Sequence, residues 1–124
     1  MPVSSTIDKD RRLVLTTAWG ALTFADGVAH KDKLLSDPDF DPTYSQISDF
    51  TRVTEIAFSA EELRHFARFD VFSLRSRRAF VTPEDEKFGM ARMFATLREL
   101  RGETGIAVFR TLEEAQHWVL AKIG

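Results

Sequence analysis

The chain contains no cysteine, which excludes a disulfide framework, a thiolate nucleophile and a zinc–thiolate site. No window approaches ~20 consecutive apolar residues, so no transmembrane helix is expected. The opening Met1-Pro2-Val3-Ser4-Ser5 lacks a basic stretch followed by an apolar run, so a soluble, cytoplasmic protein is expected. An excess of one charge is also missing. A net charge of −2 leaves no bulk electrostatic case for nucleic acid or an anionic membrane. Gly-rich phosphate loops and Gly-x-Ser-x-Gly elbows are absent. His30, His65 and His117 fall on three different predicted helices without a ligand spacing, so neither a metal nor a cofactor is expected. Asp37-x-Asp39-x-Asp41 starts like a calcium loop, but Pro42 stands where the turn needs Gly and Ser48 where a bidentate Glu belongs. Tyrosine is nearly absent, at one residue against 11 phenylalanines, which points to a core of rings that need no hydrogen-bond partner.

What is present is an ordinary globular balance, 44% hydrophobic and 29% charged, in 124 residues that read as one domain spanning 1–124. Thr6–Asp10 and Leu13–Trp19 read as a hairpin, with Gly20 ending the second strand. Thr23 caps a helix carrying Phe24, Val28, Lys31 and Leu35, and two prolines, Pro38 and Pro42, follow it. The most informative stretch runs from Tyr44 to Leu74. A mixed-polarity strand, Tyr44–Phe50, leads through a connector, Thr51–Phe58, into a helix from Ser59 to Phe72. Arg78–Val81 is a fourth strand. A third helix with Pro83 in its first turn extends to Arg101. Gly105–Arg110 is a fifth strand, and Thr111 caps a last helix whose Leu112, Ala115, Val119 and Ile123 face the sheet. The order β-β-α-β-α-β-α-β-α predicts an α/β domain: a mixed, mostly parallel five-stranded sheet with four helices.

Two stretches, Ser48–Ser59 and Ile106–Ala115, together with that order, resemble the STAS-like group, whose simplest members are the SpoIIAA-type anti-sigma factor antagonists. The resemblance implies a non-enzymatic regulatory domain acting through protein contacts. It also implies a phospho-acceptor at the helix-opening Ser59; the antagonists' Asp-Ser-Ser-Gly pattern is matched here at Ser59 alone. The long third helix and the strand containing Arg78 look more like divergent SpoIIAA-like, Sec14-related proteins.

Several residues can be singled out from their own chemistry. Ser59 with Glu62 forms a capping box, and its hydroxyl is a candidate for phosphorylation or recognition; Thr54 is a second candidate of that kind. Arg75, Arg77 and Arg78, with Arg92, Arg98 and Arg101 in the following helix, concentrate positive charge and suit an anionic head group, or else pair with Glu61, Glu62, Asp70 or Glu99. On the third helix, Met90, Met93, Phe94, Leu97 and Leu100 form one apolar stripe, while Phe88, Ala91 and Ala95 form another. The second stripe suggests a homodimer face or the wall of a ligand cavity. Two readings stand beside each other: a regulatory domain recognised by a protein, and a binder of a small anionic or amphipathic ligand such as a nucleotide or lipid. The second requires an apolar cavity lined by Phe66, Phe69, Phe72 or Phe94, with an arginine at its mouth.

Overall fold

Side chains alternate between the two faces of a strand, and that alternation sets the layers of this molecule. The computed structural model describes residues 2–123. Its elements are β1 (Val3–Asp8), β2 (Leu13–Thr23), α1 (Phe24–Leu35), β3 (Ser45–Ala57), α2 (Ala60–Phe66), β4 (Arg78–Val81), α3 (Asp85–Glu99), β5 (Ile106–Phe109) and α4 (Leu112–Ile123). They follow the predicted order. The strands lie side by side as β1-β2-β3-β4-β5 in one sheet. β1 is antiparallel to β2, and every later pair is parallel.

From β2 to β5 the chain advances across the sheet in one direction. Right-handed crossovers taken in one direction place their helices on one face. Accordingly Leu63 and Ala67 in and after α2 and Ala91, Phe94 and Ala95 of α3 pack on Phe80 and Ile106, while Leu34 of α1 packs on Val14. α4 returns to the other face, where Ala115 and Val119 meet Leu13, Ile47, Ala79 and Val81. Edge-to-face contacts bind the three-helix side. Phe58 meets Phe66 at 5.6 Å between ring centroids, Phe80 meets Phe94 at 5.5 Å, and Phe50 meets Phe80 at 5.8 Å. Each such pair contributes about 0.5–1.5 kcal/mol beyond its buried area.

Several boundaries differ from expectation. Gly20 does not end β2. It adopts φ +67 at a bulge between Thr17 and Ala21, a conformation glycine enters without strain, and pairing with β3 resumes beyond it. The supposed connector Thr51–Ala57 is therefore strand, paired with residues 19–23 of β2. α3 begins at Asp85 rather than at Pro83: Glu84 is its N-cap, with an extended backbone at φ −86 and ψ 141. Leu112 is exposed rather than turned to the sheet, and Leu35 of the α1 stripe is exposed as well. The side chain of Ile123 lies outside the described residues.

Gly89, on the exposed side of α3, has nothing within 4 Å of where a Cβ would stand. Gly89→Ala should stabilise the protein by about 0.5–1 kcal/mol, read as a higher urea midpoint, because the unfolded chain loses freedom that the helix never uses. An unchanged or lower midpoint would count against α3 as drawn.

Candidate functional site

The centre of a parallel sheet is ordinarily an unbroken apolar surface. Here it is not. On the three-helix face, Ser5, Thr16 and Ser48 stand in one row across β1, β2 and β3, and Gln46 and Arg78 stand beside each other in the next row. Period-2 alternation puts all five on the side covered by α1, α2 and α3.

These groups are hydrogen-bonded in series. His30 Nε2 of α1 shares a hydrogen with Ser5 Oγ at 2.5 Å, and Ser5 Oγ lies 2.7 Å from Thr16 Oγ1. Gln46 Nε2 donates to Thr16 at 3.0 Å, and Arg78 Nε donates to Gln46 Oε1 at 3.3 Å. Arg78 Nη1 reaches both oxygens of Glu103, at 3.2 and 3.3 Å. Glu103 is 2% exposed and also accepts from Arg98 Nε at 2.7 Å. Two buried guanidinium groups thus share one buried carboxylate, and the second acid on Arg98, Asp70, is exposed. Burial holds the Arg78 pKa below its ordinary value, against the pull of Glu103. The hydrogen bond from Arg98 holds the Asp70 carboxyl below the usual carboxylate range.

Above this polar floor lies a cavity of about 130 Å³. Thr16, Gln46, Ser48 and Arg78 line it from the sheet, and His30 and Lys31 from α1. Phe66, Phe69, Phe72 and Phe94 line it from the helix side. Those are the four rings the ligand-binding reading named, but the arginine it set at the mouth is instead buried in the floor, as Arg78. Lys31 Nζ stands 4.0 Å from the centroid of the Phe69 ring, a cation–π contact at the edge of the aromatic layer. The Arg78 guanidinium stacks between polar and aromatic halves, 4.9 Å from the Phe72 ring.

The remaining site candidates do not converge. Ser59 and Thr54 are exposed; Ser59 closes the predicted capping box, accepting from Glu62 N at 3.0 Å. Arg77 is directed to the α4 side, donating to the Trp118 carbonyl at 2.8 Å, whereas Arg78 is buried in the three-helix face. Arg75 and Arg92 are exposed, so the four arginines form no common cluster: alternate residues of β4 point to opposite faces. The dimer face is corrected too. Ala91 and Ala95 are buried in the core with Phe94, and the large apolar side chains exposed here are Met93 of α3 (51% exposed) and its C-cap Leu100 (80% exposed). α3 is rotated from the expected setting because Arg98, charged yet fully buried, belongs to its inner face. Phe88 is partly covered, with the Arg110 guanidinium 4.1 Å from its ring.

Sequence reasoning did not single out Thr16, Gln46 and Ser48. For two of them the signal was there in the mixed polarity of Tyr44–Phe50, where Gln46 and Ser48 stand two residues apart on one face. Among the described residues no group of three or more His, Asp or Glu could hold a metal ion, and no helix is long and apolar enough to cross a membrane.

His30 carries a testable consequence. Burial, then the charge of Lys33, holds its pKa below the ordinary 6.5. Between the folded value and 6.5 the unfolded chain binds the proton more readily, so stability falls as pH drops through that window and is level above it. Urea midpoints at roughly pH 7.5 and 5.5 should show this loss, and His30→Gln should reduce it. Equal slopes in both proteins would remove His30 as its source.

No family model matches this chain, and no curated protein matches it. A solved structure does: a DUF3478 family protein from Shewanella loihica PV-4, described as having a SpoIIAA-like fold, superposes with a TM-score of 0.58. The two chains are 16% identical, and the match covers 94% of this chain and 93% of the other. At that identity the likeness speaks to architecture alone: this chain has a SpoIIAA-like fold, in a divergent form.

Proposed function

We propose that this chain is a binding domain rather than a catalyst, and that it holds a small amphipathic molecule between its sheet and its first three helices. One observation carries the reading: a cavity of about 130 Å³ whose floor is polar and whose roof is phenylalanine. An apolar cavity near 150 Å³ accepts a molecule the size of benzene, so this one suits a comparably small body. A protein indifferent to ligands would more economically fill the space with larger side chains than keep five polar groups beneath it. Ser5 and His30 are the nearest approach to a nucleophile and a base. Ser5 is outside the cavity lining, and among the described residues no carboxylate is hydrogen-bonded to the His30 ring, so the pair lacks the orienting group that acyl transfer uses.

Native mass spectrometry of protein purified from its own host should reveal a co-purifying small molecule. Ala91→Leu, which extends a side chain lining the cavity, should lose it while keeping a native circular dichroism spectrum. Occupancy at about 100 times Kd would raise stability by about 2.7 kcal/mol. If nothing co-purifies and no small amphipath raises the unfolding midpoint, the reading fails.

A second reading, recognition by a protein at Ser59 and Thr54, draws on their exposure and on the position of α2. Leu63 and Phe66 of that helix line the cavity, so a change at its first residue would be felt there. Ser59→Asp should then alter partner binding in a folded protein. Unaltered binding would remove the switch.

A further inference from the structure

We infer that the cavity takes a small monocarboxylic acid, aromatic or branched, with its carboxylate on Arg78 Nη2 and Ser48 Oγ and its apolar body under the phenylalanines. This rests on the cavity-binding reading above and adds to it the charge and the chemistry of the ligand.

The cavity wall contains two cationic residues, Lys31 and Arg78, and no acidic one. The nearest buried acid, Glu103, is already shared between Arg78 and Arg98. Lys31 pairs at 3.2 Å with Asp32, which is outside the lining, so a head group entering this site meets two cations and no acid in the wall itself.

The hydrogen-bond inventory gives the same sign. The acceptor oxygen of Gln46 is taken by Arg78 Nε, and the Thr16 hydroxyl is held by both Ser5 and Gln46. Among the described residues Arg78 Nη2 and Ser48 Oγ make no hydrogen bond, although Arg78 is 8% exposed and Ser48 is 2% exposed. A guanidinium nitrogen carries two N–H donors and no acceptor, and Gln46 Nε2 keeps one further N–H. What is left over in this floor is a set of donors converging from adjacent strands. They call for an acceptor, preferably an ionised one.

The number of free donors favours carboxylate over phosphate, which has more oxygens to satisfy. Arg78 has committed Nε and Nη1, so it offers a single nitrogen rather than the two-pronged edge that grips either anion. One nitrogen, one hydroxyl and one amide N–H match the two oxygens of a carboxylate. The aromatic roof and the volume of about 130 Å³ set the rest of the molecule at roughly one ring or a short branched chain.

Benzoate, benzyl alcohol and phenylphosphate are probes with one ring in common that differ in the head group. Titration by calorimetry or by backbone amide shifts should find benzoate bound at least about tenfold more tightly than benzyl alcohol, the scale of one charge-assisted hydrogen bond. Ser48→Ala should weaken benzoate about fivefold and leave benzyl alcohol unchanged. Arg78→Lys should abolish the preference for benzoate; should that variant not fold, the Ser48→Ala comparison decides alone. Equal binding of benzoate and benzyl alcohol overturns the carboxylate assignment while the cavity reading survives. Tighter binding of phenylphosphate overturns it in the same way. Binding of none of the three overturns both.

Discussion

Arg98→Ala is expected to lower the stability of this protein by about 3–5 kcal/mol, the cost of breaking a buried ion pair on one side. Arg98 is fully buried on α3, and its Nη1 bonds all reach the segment just beyond α2. Its Nη1 donates to the carbonyls of Ala67 at 2.9 Å and Phe69 at 3.0 Å, and to Asp70 Oδ1 at 3.0 Å. Its Nε holds Glu103 at 2.7 Å. The alanine variant leaves two carbonyls beyond the end of α2 without their donor and leaves Glu103 to Arg78 alone. One effect opposes this: repulsion between Arg98 and Arg78 disappears, and Arg98 Nη2, which has no partner, no longer has to be buried. Relief of one unpaired donor is worth about 1–3 kcal/mol, while two carbonyls and half a buried pair are lost, so destabilisation wins. The melting temperature should fall by roughly 10–20 °C. By contrast Asp70→Asn, at an exposed partner of the same arginine, should cost less than about 1 kcal/mol. An Arg98→Ala loss no larger than that of Asp70→Asn would mean that water, not Arg98, serves the end of α2.

The same arginine explains where the sequence stops being legible. The period of Leu63, Phe66, Phe69 and Phe72 continues past Ala67, and nothing local halts it, so a helix to Phe72 is the natural reading. The helix ends at Phe66, and the carbonyls just beyond it, those of Ala67 and Phe69, accept from Arg98, 31 residues downstream of Ala67. Tertiary capping of this kind leaves no trace in neighbouring residues. Local capping does: Thr23 with Asp26 and Ser59 with Glu62 are spaced three apart and both form as read. The order in which the strands lie side by side was not legible, because element order and handedness leave open which position each crossover reaches. The site was half visible. Its phenylalanines were named from helical spacing, whereas its floor needs strand register, which joins Thr16 to Ser48 and Gln46 to Arg78 across gaps of about 30 residues. Register is a property of pairing, not of any one segment.

Gly105→Ala should be the most damaging single-methyl change in the chain, costing about 3 kcal/mol, the top of the range for overpacked sites. A Cβ at position 105 would stand 2.4 Å from the Ser76 carbonyl oxygen, 3.1 Å from its carbon and 3.3 Å from Arg77 Cα. All three are backbone atoms, so no rotamer change can make room. The Gly105 carbonyl accepts from Arg78 N at 2.7 Å, and the Arg77 carbonyl accepts from Gln46 N at 2.9 Å, so the offended segment is pinned to β5 on one side and β3 on the other. Restricting the unfolded chain would ordinarily return about 0.4–1 kcal/mol for a Gly→Ala change, the sign expected at Gly89; here the collision outweighs it. The damage should be local as well as global. Moving residues 76–78 shifts Arg78, so amide exchange at Arg78 and Ala79 should quicken before the whole sheet opens. A variant as stable as the parent, with those amides still protected, would show that β4 and β5 do not approach as closely as 2.4 Å implies, and would loosen the floor on which the binding site is built.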